Sequence, residues 1–226
     1  FGIDTNLFEV GLTSIAVLKL NVRLGTLFDV SVRIDDIKSN ETVRKLEKML
    51  LGSERDESYE ILPDYPLTQT QMGIFVECNS SQGSITYNIP MLFRLGPGID
   101  ADRLSDAVKA AIDAHPYAKT TLFADEEGNV RARRNDDAPV NVEIEMLERV
   151  PEGSELVRPF RLLDSPLYRA SVIRTPEGDC LFLDFHHIIS DGMSQAILLS
   201  DIDRAYAGEK LEREKYTGFE EARDEE

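Results

Sequence analysis

Tryptophan is absent, and only two cysteines and three histidines occur in the 226 residues; cations are scarce too, 25 Lys and Arg against 42 Asp and Glu. Each shortage excludes something. Cys78 and Cys180 are far apart and form no metal-type cluster with the histidines, so a disulfide framework and a zinc site are both unsupported, and the two read as reduced core residues. The net charge of −17 removes nucleic acid from the partners, because phosphate binding needs a concentrated basic face. No apolar run is long enough to span a bilayer, and the first residues lack the basic region and apolar block of a signal peptide. A cytoplasmic protein with no membrane partner is the expectation.

What is present suffices for one ample core, or for a small domain followed by a larger one. Charge favours the division. Residues 1–52 hold seven Lys or Arg and seven Asp or Glu, so the whole acidic excess belongs to residues 53–226. Between them, Gly52-Ser53-Glu54-Arg55-Asp56-Glu57-Ser58 is polar and unpatterned, which places a linker at 53–64.

In the leading segment, helical spacing predicts a helix over 14–28 with an apolar stripe of Ile15, Leu18 and Val22, extended by Leu24 and Leu27. A second helix is expected after Asn40 as N-cap, through Val43, Leu46, Met49 and Leu50 until Gly52 stops it, with one short turn at Ile34–Ile37. Ser14 stands at the start of the first helix, where serine commonly serves as a cap.

From Tyr65 strands and helices alternate. Thr68 opens a short amphipathic helix at Gln69–Phe75; Tyr87–Leu95 reads as a strand; Asp100 caps a helix running to about Ala114, before Pro116. Asp125–Asn129 is a hairpin turn between 120–124 and 130–134, and Val140–Met146 alternates as a further strand. A second hairpin, 167–174 with 180–186, turns at Pro176–Asp179, and a helix follows from Gly192 to about Ala207, packing through Ala196, Leu199, Ile202 and Tyr206. His115, after a helix, reads as a local cap without chemistry.

Two of the three histidines are adjacent, in Phe185-His186-His187-Ile188-Ile189-Ser190-Asp191-Gly192, at the end of an apolar strand and before a helix. Neighbouring strand side chains point to opposite faces, so one histidine is packed and the other presented.

The spacing HHxxxDG resembles the central motif of the condensation domains of nonribosomal peptide synthetases. Leu67–Phe75 and the Tyr87-Asn88-Ile89-Pro90 start are similar to further motifs of that family, and His115 to Phe123 is a partial match. The stretch Asp4–Ile15 resembles the attachment loop of a peptidyl or acyl carrier domain, although Leu12 and Thr13 depart from its commonest form. The resemblance implies an α+β chain: residues 1–52 as a carrier bundle lacking its first helix, then residues 65–226 as the N-terminal lobe of a condensation domain. That lobe would be one chloramphenicol acetyltransferase-like half, a mixed sheet with packed helices.

The resemblance further implies that Ser14 bears 4′-phosphopantetheine, with a phosphopantetheinyl transferase to attach it. His187 would face the channel where an amine attacks a thioester, as general base or as a stabiliser of the charged tetrahedral species. His186 and Asp191 would give structural support, Asp191 through an ion pair anchoring the loop, and Gly192 would leave room at the reacting centre. Partners would be carrier-bound aminoacyl or peptidyl thioesters, a downstream acceptor carrier and the condensation domain's C-terminal lobe. A chain holding one lobe is expected to be inactive alone, with its ends read as cuts in a longer protein. An epimerisation domain of the same fold, or a noncatalytic carrier-docking module, stays open as an alternative.

Overall fold

The computed structural model describes residues 2–28, 32–52, 61–81, 83–214 and Phe219. The chain divides into two units, Phe1–Tyr59 and Glu60–Glu226. Most of the expected linker, residues 53–60, lies outside the described residues, and its last position, Asp64, belongs to a strand.

The described residues of the first unit form three helices, α1 (Ser14–Phe28), α2 (Ile34–Ser39) and α3 (Val43–Gly52). Leu7, Val17, Ile37 and Leu46 form its core, with Leu12, Leu20, Leu24 and Met49 packed around them. Of the expected stripe Leu24 turns inward, but Ile15, Leu18, Val22 and Leu27 are exposed, and Val17 and Leu20 complete the inward face. Apolar residues occur at helical spacing on two sides of α1, so periodicity alone cannot select between them; packing against Ile37 and Leu46 does. Asn40 is likewise not the N-cap of α3. It ends α2, its backbone N–H and its side-chain amide both donating to the Asp36 carbonyl, and Thr42 caps α3 by accepting the Lys45 N–H at 3.2 Å.

The second unit begins with β1 (Asp64–Pro66), α4 (Gln69–Ser80), β2 (Asn88–Arg94) and α5 (Ala101–Ala114), followed by a 3-10 turn at Pro116–Lys119. It continues through β3 (Thr121–Ala124), β4 (Val130–Arg133), β5 (Glu143–Met146), α6 (Gly153–Leu156), β6 (Tyr168–Arg174), β7 (Cys180–His186) and α7 (Gly192–Ala207). Thr68 caps α4 in a capping box with Gln71, and Asp100 caps α5, both as expected. A four-stranded sheet has the order β2-β7-β6-β5, with only β5–β6 parallel; a three-stranded sheet has the order β1-β4-β3. Both hairpins form where expected, and Gly178 at φ +128° supplies the turn before β7, a conformation a residue with a Cβ avoids. β1 and α6 carry no clear signal in the sequence pattern, and the expected strand at 140–146 is regular only over its last four residues.

β7 is the buried centre of this unit. On one face Leu181, Leu183 and Phe185 pack with Leu104, Val108, Ile112, Leu198 and Ile202 of α5 and α7; on the other, Cys180 and Phe182 pack with Leu92, Leu147 and Leu156. Each large side chain fully buried this way contributes roughly 1.5–3 kcal/mol. On α7, Leu199, Ile202 and Tyr206 pack against the core as expected, whereas Ala196 is exposed and Gln195 and Leu198 are buried in addition. Tyr206 contributes as an acceptor, its hydroxyl taking the Asp100 N–H at 3.0 Å. Among the described residues no helix is long and apolar enough to cross a membrane, and no cluster of metal-ligating side chains occurs.

Candidate active site

β7 delivers the histidine pair. Its ladder with β2 closes at Asn88 opposite His186, and one more backbone bond, from the His187 N–H to the Tyr87 carbonyl at 2.8 Å, extends it past the strand end. The alternation of the strand then separates the two rings.

His186 is buried at 4% exposure. Its Nδ1 accepts the Ile188 N–H at 3.2 Å, and since a backbone amide only donates, Nδ1 must be unprotonated. The ring proton therefore sits on Nε2, which faces the Cys78 sulfur at 3.7 Å. Burial, aided by the nearby His187, pushes the His186 pKa down to about 4, so the ring is neutral at physiological pH. The ring of Phe160 meets it edge-on at 5.8 Å.

His187 is exposed, edge-on to the Tyr87 ring at 6.5 Å, and lines a cleft of about 630 Å³ together with Gln71, Tyr117, Ile189, Asp191 and Ser194. One histidine is packed and one presented, as the alternation of a strand requires.

Asp191 is the N-cap of α7, its Oδ1 accepting the Ser194 N–H at 2.8 Å and the Ser194 hydroxyl at 2.7 Å. Burial pulls its pKa upward, but these bonds outweigh that and hold it below the usual carboxylate range. The anchor given by the described residues is thus a helix cap, because the side chain sits where α7 leaves backbone N–H groups without partners. Gly192 opens α7, and apart from its chain neighbours and its own helix backbone no atom lies within 4 Å of where its Cβ would be.

His115 lines the same cleft. It terminates α5, as expected, and its ring is gripped on both sides: Nδ1 lies 3.0 Å from Glu214 and Nε2 2.9 Å from Asp201. Burial pulls its pKa down, but the two carboxylates more than offset this and leave it raised. Behind the histidine pair, the fully buried Asp184 accepts from Asn88 at 2.8 Å and pairs with Arg169 at 3.0 Å. Arg169 in turn donates to the Arg158 and Pro159 carbonyls and stacks on Phe160, 3.8 Å from its centroid. Sequence reasoning misses both groups; the signal available is the charged Asp184 within the apolar run of β7.

In the first unit Ser14 is the first residue of α1 and is exposed. The capping role falls to Thr13, whose Oγ1 accepts the Ala16 N–H at 3.3 Å, which corrects the reading of Ser14 as a simple cap. An exposed hydroxyl at the positive end of a 15-residue helix suits a phosphodiester.

Family comparison covers both units. A condensation-domain model matches residues 62–223. The chain belongs to the condensation-domain family. Ahead of this condensation domain, residues 1–50 match a phosphopantetheine attachment site, so the prosthetic group is a covalently attached phosphopantetheine. Over 93% of its length the chain aligns with a plipastatin synthase of Bacillus subtilis, at 30% identity over 220 residues, and with tyrocidine synthase 3 of Brevibacillus parabrevis, at 28% over 221. The alignment occupies 6% and 3% of those proteins, so the chain spans a small part of the synthetases it resembles. The condensation-domain fold also recurs in solved structures. The starter condensation domain of the rhizomide synthetase RzmA superposes on 64% of this chain and 37% of its own, with TM-score 0.56 and 17% identity. The X-domain complexed with OxyB from teicoplanin biosynthesis superposes on 74% of this chain and 38% of its own, with TM-score 0.62 and 22% identity. The expected α+β architecture is borne out, and so is the resemblance to nonribosomal peptide synthetases.

Proposed function

We propose that this condensation domain joins a carrier-bound acyl thioester to the amine of an aminoacyl group on an acceptor carrier, with His187 as the residue that serves the reacting centre. The observation carrying this reading is the contrast within the pair: His186 is buried, neutral and locked by Ile188, whereas His187 is exposed on a cleft. Residues 1–52 act as the carrier, attached through Ser14 by a phosphopantetheinyl transferase, and residues 65–226 supply the N-terminal lobe.

The phosphopantetheine arm, when bound, supplies the thiol that holds the acyl group as a thioester. Tethering both reactants removes much of the barrier by making their encounter effectively intramolecular. What remains is a proton. An α-amino group has a pKa near 8, so His187 needs only to accept its proton as nitrogen attacks, or to stabilise the charge on the tetrahedral species; the C–S bond then breaks, and the proton lost by nitrogen goes to the departing sulfur, which leaves as the thiol. His186 holds the adjacent peptide, Asp191 starts α7 at the cleft wall, and Gly192 keeps the approach clear.

The test is product analysis in a synthetase bearing this chain, with loaded donor and acceptor carriers in deuterated solvent. Amide formation without deuterium at the donor α-carbon is expected. Solvent deuterium at that carbon with no amide would assign the site to epimerisation, and neither product would leave a carrier-docking role.

A further inference from the structure

We infer that Gln71 is a positioning residue that holds His187 in its orientation toward the cleft, an inference that rests on the reading of His187 given above. Gln71 is on the first turn of α4, 9% exposed, and its side chain joins three segments far apart in sequence. Its Oε1 accepts the Thr68 N–H at 3.0 Å; its Nε2 donates to the Ile188 carbonyl at 2.8 Å and to the Tyr117 hydroxyl. The amide has one possible orientation, since Thr68 N–H can only donate and the Ile188 carbonyl can only accept.

The bond to Ile188 falls where the sheet can no longer help. The β2–β7 ladder ends opposite His186, and the last backbone bond of this edge uses the His187 N–H. One peptide later the Ile188 N–H is fastened by His186, and two peptides later the Ile188 carbonyl is fastened by the Gln71 side chain. The backbone on both sides of His187 is thereby fixed, by Tyr87 before its Cα, by His186 directly after it and by Gln71 one peptide further on. Because the donor is buried, losing it leaves the Ile188 carbonyl without its side-chain partner, at a cost that favours a shift of the segment. Gln71 also lines the cleft that His187 lines.

The test is NMR on the whole chain, independent of catalysis. In the wild-type protein a coupling through the hydrogen bond between Gln71 Nε2 and the Ile188 carbonyl is expected; its absence overturns the proposal. Gln71→Met should displace the His187 ring resonances and speed hydrogen exchange of the His187 amide by about tenfold or more. Thr68→Val, which removes the α4 cap but keeps the Gln71 amide, should leave both at their wild-type values. Gln71→Glu keeps the shape and should resemble Gln71→Met while ionised, then regain the wild-type signature as acid protonates it and restores a donor. Unchanged His187 signals in Gln71→Met, or equal changes in Thr68→Val, would overturn the assignment. A failure of His187 in amide formation would instead remove the functional reading and leave the positional one standing.

Discussion

The Nδ1 of His186 accepts the backbone N–H of Ile188 at 3.2 Å, so the buried ring reaches over its neighbour and grips the peptide on the far side of His187. The two histidines therefore differ in what their loss should damage. His186→Ala leaves the Ile188 N–H unpaired in a buried site and should cost about 1–3 kcal/mol. His187→Ala removes an exposed ring and should change stability by less than about 0.5 kcal/mol. Urea denaturation of the two variants checks this; equal losses would deny the division of roles.

His186 also sets an acid limit. Its folded pKa is depressed from 6.5 to about 4, so between those values the unfolded chain binds a proton that the folded ring refuses. Stability is then full above pH 6.5 and falls as the pH drops, with the loss complete below 4. A shift of this size corresponds to about 3 kcal/mol. Denaturation midpoints measured across this range should slope steeply in the wild type and less so in His186→Gln.

His115 acts with the opposite sign. The carboxylates of Asp201 and Glu214 raise its folded pKa above the ordinary value, so its contribution is full below the unfolded pKa and is lost as pH rises through the folded one. The stability gap between wild type and His115→Gln should accordingly be widest in mild acid and narrow towards alkaline pH. A gap that widened with rising pH would mean that the ring is held neutral.

Asp184 is fully buried and neutralised by Arg169. Arg169→Met strands that carboxylate and should cost about 3–5 kcal/mol, whereas Arg169→Met combined with Asp184→Leu should recover much of the loss. A double-mutant cycle reads the coupling directly; strictly additive losses would show that the two side chains are independent.

The parts of the fold legible in the sequence are those written in local chemistry. Thr68 and Asp100 announce their helices as caps, the Pro176–Asp179 turn announces the last hairpin, and the strand period alone separates His186 from His187. What escapes depends on distant partners. Which stripe of α1 turns inward is decided by Ile37 and Leu46, and β1 is a strand only because Asp64 to Pro66 finds Arg133 to Arg131. The roles of Gln71 and Asp184 are set by Ile188 and Arg169, residues no local pattern connects to them. Asp191 caps α7, a role that its position directly ahead of the helix already allowed.

The most direct test of the account is single-turnover amide formation by a synthetase bearing this chain, followed by mass spectrometry, with His187→Ala measured beside the wild type. The account predicts a fall of about a hundredfold or more in the rate, the usual contribution of a positioned acid–base group, with the melting transition unchanged. Amide formation by His187→Ala at the wild-type rate would contradict it.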